Sequence, residues 1–115
     1  MSANTKNNTT KNNNNNTKGK FVPLGQVVAT PGALAALAEA GVAPIGYIAR
    51  HARGDWGDAL PQEDKAANDS ALRDGDRLLS AYRLPGTDGN ATGVKLWIIT
   101  EWDRSVTTLL LPDEY

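Results

Sequence analysis

The chain has 115 residues, no cysteine, and 12 basic against 13 acidic side chains, for a formal charge of −1. That length suits a single domain, and the absence of cysteine excludes disulfide frameworks and cysteine-based zinc sites. No stretch approaches the ~20 apolar residues of a membrane span, and the start of the chain lacks the apolar core of a secretory signal, so a soluble cytoplasmic protein without a membrane partner is expected.

Residues 1–20, MSANTKNNTTKNNNNNTKGK, contain only Asn, Thr, Lys, Ser, Ala and Gly after Met1. Such a segment cannot bury enough apolar surface to offset its ordering entropy, and it reads as a disordered tail. The domain is expected over residues 21–115. Lys6, Lys11, Lys18 and Lys20 lie in the tail, which leaves the domain eight basic against thirteen acidic residues, a balance of −5. Nonspecific nucleic-acid binding normally uses a basic face, which this bulk charge does not supply.

FVPLGQVV (21–28) reads as a short edge strand limited by Pro23. VATPGALAALAEAG follows with a helical pattern: Thr30 suits the N-cap, Pro31 the first helical position and Gly41 the position after the end. Leu34, Leu37 and Ala38 form its apolar stripe. In APIGYIARHARG a second helix opens at Pro44 and stops at Gly54, with Ile45, Ile48, Ala49 and Ala52 as its inward face. The short link between the two helices makes them antiparallel or angled neighbours. GDWGDAL is a turn segment. A polar third helix runs through PQEDKAANDSALRDG, opened by Pro61 and closed by Gly75, with Gln62, Glu63 and Asp64 at its positive end. Leu60 and Leu72 are its main apolar residues, which places it on the surface.

The last third changes period. RLLSAYRL, VKLWIIT and SVTTLLL read as strands joined by PGTDGNATG and EWDR, in an antiparallel meander. Strand alternation sets Leu96, Ile98 and Thr100 on one face and Trp97, Ile99 and Glu101 on the other. The expected fold is α+β: N-terminal helices packed on a C-terminal antiparallel sheet of three to four strands.

Two segments carry candidate chemistry. RHARGDWGD holds the chain's single histidine. His51 has two readings: a helix C-terminal residue satisfying carbonyls and the dipole, or a general acid/base oriented by Asp55 or Asp58. Trp56, between glycines, either plugs the core or offers a stacking surface to a base or partner. Tyr82 either sits in the core with its hydroxyl satisfied or lines a cleft. In EWDRSVTT, Glu101, Asp103, Arg104, Ser105, Thr107 and Thr108 cluster at one hairpin. There Arg104 beside hydroxyls can hold a phosphate, or the group is a solvated turn. One histidine with scattered aspartates lacks the spacing of a metal motif, so no metal and no cofactor are expected.

The segments PLGQVVATPGAL, RHARGDWGD, RLLSAYRL and LWIITEWDRSVTTLLLPDEY resemble a family of small bacterial and archaeal proteins of plasmids and integrative elements. The resemblance runs from about Val22 to Tyr115 and implies an accessory role for mobile elements, without naming an activity. Element order and residue type also resemble the barnase–EndoU–colicin–RelE nucleases, which set helices before a curled antiparallel sheet. That second resemblance implies metal-independent RNA cleavage. His51 would move the proton, Arg104 would stabilise the phosphoryl group, Thr108 would donate a hydrogen bond, and Glu101 would be an alternative base. The rival expectation is a non-catalytic protein that binds a host factor or defence complex through Trp56, Trp102 and the acidic surface, with Asp55 and Tyr82 in the same corner. A third is a structural or oligomerisation domain whose special residues hold the turns.

Overall fold

The computed structural model describes residues 21–86 and 91–115. The tail assigned to residues 1–20 and the loop tip at 87–90 lie outside them. Eight elements follow in order: β1 (Gln26–Ala29), α1 (Pro31–Ala40), α2 (Pro44–Ala52), α3 (Gln62–Asp74), β2 (Leu78–Pro85), β3 (Ala91–Thr100), β4 (Val106–Leu110) and a 3-10 turn (Pro112–Glu114). The four strands form one sheet in the order β1-β4-β3-β2. β2, β3 and β4 make the expected antiparallel meander. β1 is the expected edge strand, but it runs parallel to β4, with Val27 beside Thr107 and Ala29 beside Leu109, so the sheet is mixed. Gly25 leads into the strand: its positive φ turns the chain where an added Cβ would collide with the Ser105 carbonyl. β3 starts three residues earlier than its sequence pattern suggests, because Ala91 pairs with Pro85 across a register shift. Pro85 is tolerated because β2 is an edge strand.

Helix ends follow the sequence closely. The Thr30 hydroxyl accepts the Ala33 N–H at 3.0 Å, and Pro31 opens α1. Gly41 and Gly75 end α1 and α3 in the left-handed conformation. Pro61 stands one place outside its expected position, as the extended residue before α3. Unanticipated was Glu114. Its carboxylate accepts from the Thr30 hydroxyl at 2.6 Å and from the Leu111 N–H at 2.8 Å, clipping the C-terminal turn to the start of α1.

α1 and α2 meet at a 108° bend. They cover the sheet face that carries Tyr82, Leu84, Leu96, Ile98 and Leu109. The expected stripes are rotated. α1 buries Ala33 and Leu37 and exposes Leu34 and Ala38; α2 turns Tyr47, Ile48 and His51 inward and exposes Ile45 and Ala49. In α1 nearly every position is Ala or Leu, so the sequence offers little contrast between faces, and close approach to the sheet selects the small Ala33. In α2 the polar His51 goes inward because the sheet offers partners for both ring nitrogens. A second cluster, Val22, Trp56, Leu60, Ala71, Leu78 and Ala81, closes the β2 side under α3. Among the described residues no single helix is long and apolar enough to cross a membrane.

Candidate functional site

His51 is fully buried, at the sheet-facing side of α2. Its Nδ1 lies 2.6 Å from the Ser80 hydroxyl of β2, and its Nε2 lies 2.8 Å from the Thr100 hydroxyl of β3. Thr100 in turn meets the Thr107 hydroxyl of β4 at 2.7 Å, and Thr107 donates to the Leu24 carbonyl at 2.7 Å. These bonds have one consistent direction. A carbonyl only accepts, so the Thr107 proton is spent on Leu24. Thr100 must then donate to Thr107, and accepts from His51 Nε2–H. Nδ1 is left as the acceptor for the Ser80 hydroxyl. The arrangement therefore assigns a neutral imidazole protonated at Nε2. Burial, with a smaller repulsion from Arg104, lowers its pKa to about 4. The Trp56 ring stands edge-on to the imidazole at 5.8 Å. Neither Asp55 nor Asp58 orients the ring, as the sequence had suggested; two strand hydroxyls do.

Arg104 is equally occupied. From a backbone at φ 60°, rare for a side-chain-bearing residue, its guanidinium donates to the carbonyls of Asp76 at 2.6 Å and of Ala71 and Glu101 at 3.1 Å. It thus ties the end of α3 to the β3–β4 turn. Asp103 organises the same turn by accepting from the Ser105 N–H and hydroxyl, which holds its carboxyl below the usual range.

The other residues of the 50–58 corner also serve the fold. Arg50 forms an ion pair with Asp55 at 2.7 Å and lies over the Tyr82 ring, 4.6 Å from its centroid. The pair raises the Arg50 pKa and lowers that of Asp55. Tyr82 is buried and donates to the Asp55 carbonyl at 2.6 Å, and burial pushes its phenol up to about 12. Trp56 is the expected plug: it is 4% exposed, and its Nε1 donates to Asp69 at 2.9 Å. Gly57 permits this fold-back, since an added Cβ would collide with the Ala81 carbonyl.

The candidates do not converge on one cleft. Thr107, not Thr108, is in the His51 network, and alternation turns the half-buried Thr108 to the opposite sheet face. Glu101 pairs with Arg77 at 3.3 Å on the surface. Trp102 is 66% exposed and packs no core. A groove of about 360 Å³, lined by Gly93, Val94, Lys95, Leu111, Pro112 and Asp113, contains neither His51 nor Arg104. Among the described residues no three His, Asp or Glu side chains converge as metal ligands would.

The two sheet edges differ sharply. On β2, Ala81 exchanges backbone bonds with Ala59 and Trp56, and the Asn68 amide takes both the N–H and the carbonyl of Leu79. Asp58 accepts the Arg83 N–H. On β1, Gln26 N–H and Thr30 N–H point to β4, so the strand's period of two turns the N–H and C=O of Val27 and Ala29 away from the sheet. Among the described residues those outward groups have no partner.

Sequence reasoning missed Ser80, Thr100 and Thr107 as the partners of His51. A readable signal existed: each occupies the buried register of its strand, beside Leu78 or Tyr82, Ile98 and Leu109, where a polar residue needs a partner. Asn68 and Glu114 left no comparable local signal, since both act on elements distant in sequence. No family model, curated protein or solved structure matches the chain.

Proposed function

We propose that this protein is a non-catalytic interaction module that binds a protein partner by strand addition to the open β1 edge, in the mobile-element setting its sequence resemblance implies. One observation carries the reading: the side chains that catalysis would need are consumed by the fold, while one sheet edge is left unpaired. For His51 to move a proton it would have to leave the hydroxyls of Ser80 and Thr100 and reach a substrate through buried packing. For Arg104 to hold a phosphate it would have to release three carbonyls. Unpaired edge strands, by contrast, accept an extended segment through main-chain hydrogen bonds. β1 is short, at four residues, but the other usual protections are missing: its sequence QVVA has no charge, proline or bulge.

The test pairs an activity with a binding measurement. Purified full-length protein, incubated with single-stranded and hairpin RNAs with and without chelator, should leave every RNA intact. A substitution on β1 should abolish the protein's association, whereas Lys95→Ala, at an exposed position of the inner strand β3, should not. RNA fragments that accumulate with wild-type protein and disappear with His51→Gln would refute the reading.

A further inference from the structure

The open edge lies in an unusual stretch of sequence. From Phe21 to Ala38 there is no charged side chain. Phe21, Val27, Val28 and Leu34 all lie in this stretch, and they make up half of the large apolar side chains exposed among the described residues. The rest of the domain carries the whole of its net charge of −5, whose repulsion disfavours contact between two copies there. The β1 flank is where that repulsion is least. The strand itself offers an acidic or basic partner no countercharge, the Glu114 carboxylate lying beyond its end at Thr30, whereas an uncharged strand edge matches it, and the chain itself carries one.

We infer that the β1 edge pairs with the β1 edge of a second copy, antiparallel about a two-fold axis at Val28, joining the two sheets into one. The inference rests on the reading of β1 as the binding surface and names its occupant. Register follows from which groups point outward. With Val28 on the axis, Val27 of each copy faces Ala29 of the other, and these are the residues with outward N–H and C=O groups, so both pairs exchange main-chain bonds. A register centred on Val27 would set Ala29 against Gly25, which leaves the extended conformation at φ 63°. One centred on Ala29 would set Val27 against Pro31, which is helical and has no N–H. Registers slipped by one residue oppose outward groups with groups already bonded to β4. In the remaining register the two Val28 residues form a close non-hydrogen-bonded pair, with Cα atoms roughly 4.5 Å apart. Each then covers the apolar side chain of the other, as an isologous contact requires.

The test uses the full chain in sedimentation equilibrium over a concentration series. Wild type should approach twice the 12.2 kDa chain mass. Val28→Lys and Val28→Asp, each setting like charges across the axis, should be monomeric while keeping the wild-type circular dichroism. An equal mixture of the two variants should recover the dimer, at least tenfold tighter than either alone. Val28→Cys tests the geometry separately, because the protein has no other cysteine: oxidised glutathione should convert it to a disulfide-linked dimer, whereas Lys95→Cys should stay unlinked. A monomeric wild type at every concentration overturns the proposal. So does a dimer indifferent to charge at Val28, a mixture that fails to pair, or a cysteine at 28 that does not cross-link. A host or defence protein found on that edge in place of a second copy also overturns it. None of these results bears on the absence of catalysis, which fails only on RNA cleavage.

Discussion

Acidification from pH 7 to pH 5 is expected to destabilise the protein by about 2 kcal/mol through His51 alone. The ordinary histidine value is 6.5, and the folded value lies at about 4. Above pH 6.5 the ring is neutral in both states and the stability difference is absent. Between 6.5 and 4 the unfolded chain binds a proton that the folded protein excludes, so stability falls as pH falls. At 1.36 kcal/mol per pH unit the full loss below pH 4 is about 3 kcal/mol, and roughly 2 kcal/mol of it accrues by pH 5. Because the chain has a single histidine, this window separates His51 from the carboxylates of Asp55, Asp103 and Glu114. Their lowered values remove stability only at more acidic pH, below the ordinary carboxylate range. Urea denaturation at half-unit pH steps measures the effect. His51→Gln should start less stable, having lost fitted contacts to Ser80 and Thr100, yet its stability should change little from pH 7 to 5. If His51→Gln does not fold, the ring ¹⁵N shifts of the wild-type protein give the same answer. They should report a proton fixed at Nε2 and no titration between pH 7 and 5. A wild-type profile flat over that interval, or a ring that titrates near 6.5 in the folded protein, would refute the buried network as described.

Trp56→Ala should cost about 3–5 kcal/mol for the lost buried ring, and Trp56→Phe about 1 kcal/mol for the lost bond to Asp69; chemical denaturation separates the two. Arg104→Ala should cost about 2–3 kcal/mol, since three carbonyls lose a charged donor, and Arg104→Gly should recover part of the loss by relieving the positive φ; thermal midpoints measured side by side will decide. Asn68→Ala should cost about 1–3 kcal/mol by orphaning both main-chain groups of Leu79, and hydrogen exchange should show the loss concentrated at the β2 edge. Thr30→Ala should cost about 1 kcal/mol as a lost N-cap, read as a lower denaturation midpoint with an unchanged denaturant slope.

Local chemistry was legible in the sequence wherever the partner lies within a few residues. Thr30, Pro31 and Gly41 bound α1 because a cap acts on the adjacent turn, and Pro44 opens α2 for the same reason. Alternation correctly divided Leu96, Ile98 and Thr100 from Trp97 and Ile99, because the strand period is independent of what packs on either face. The size and position of Trp56 announced a plug, since a domain this small gains much from burying an indole. Tertiary structure decided the rest. Whether β1 runs parallel to β4 depends on where the chain re-enters the sheet after three helices and a hairpin, and no residue of QVVA encodes that. His51 and Arg104 are of residue types that serve either catalysis or packing. Their roles are set by Ser80, Thr100 and Thr107 for one, and by the carbonyls of Ala71, Asp76 and Glu101 for the other, brought in from distant elements. A buried polar group needs a partner, but the chain's periodicity names only which side chains turn inward; folding alone determines which of them meet.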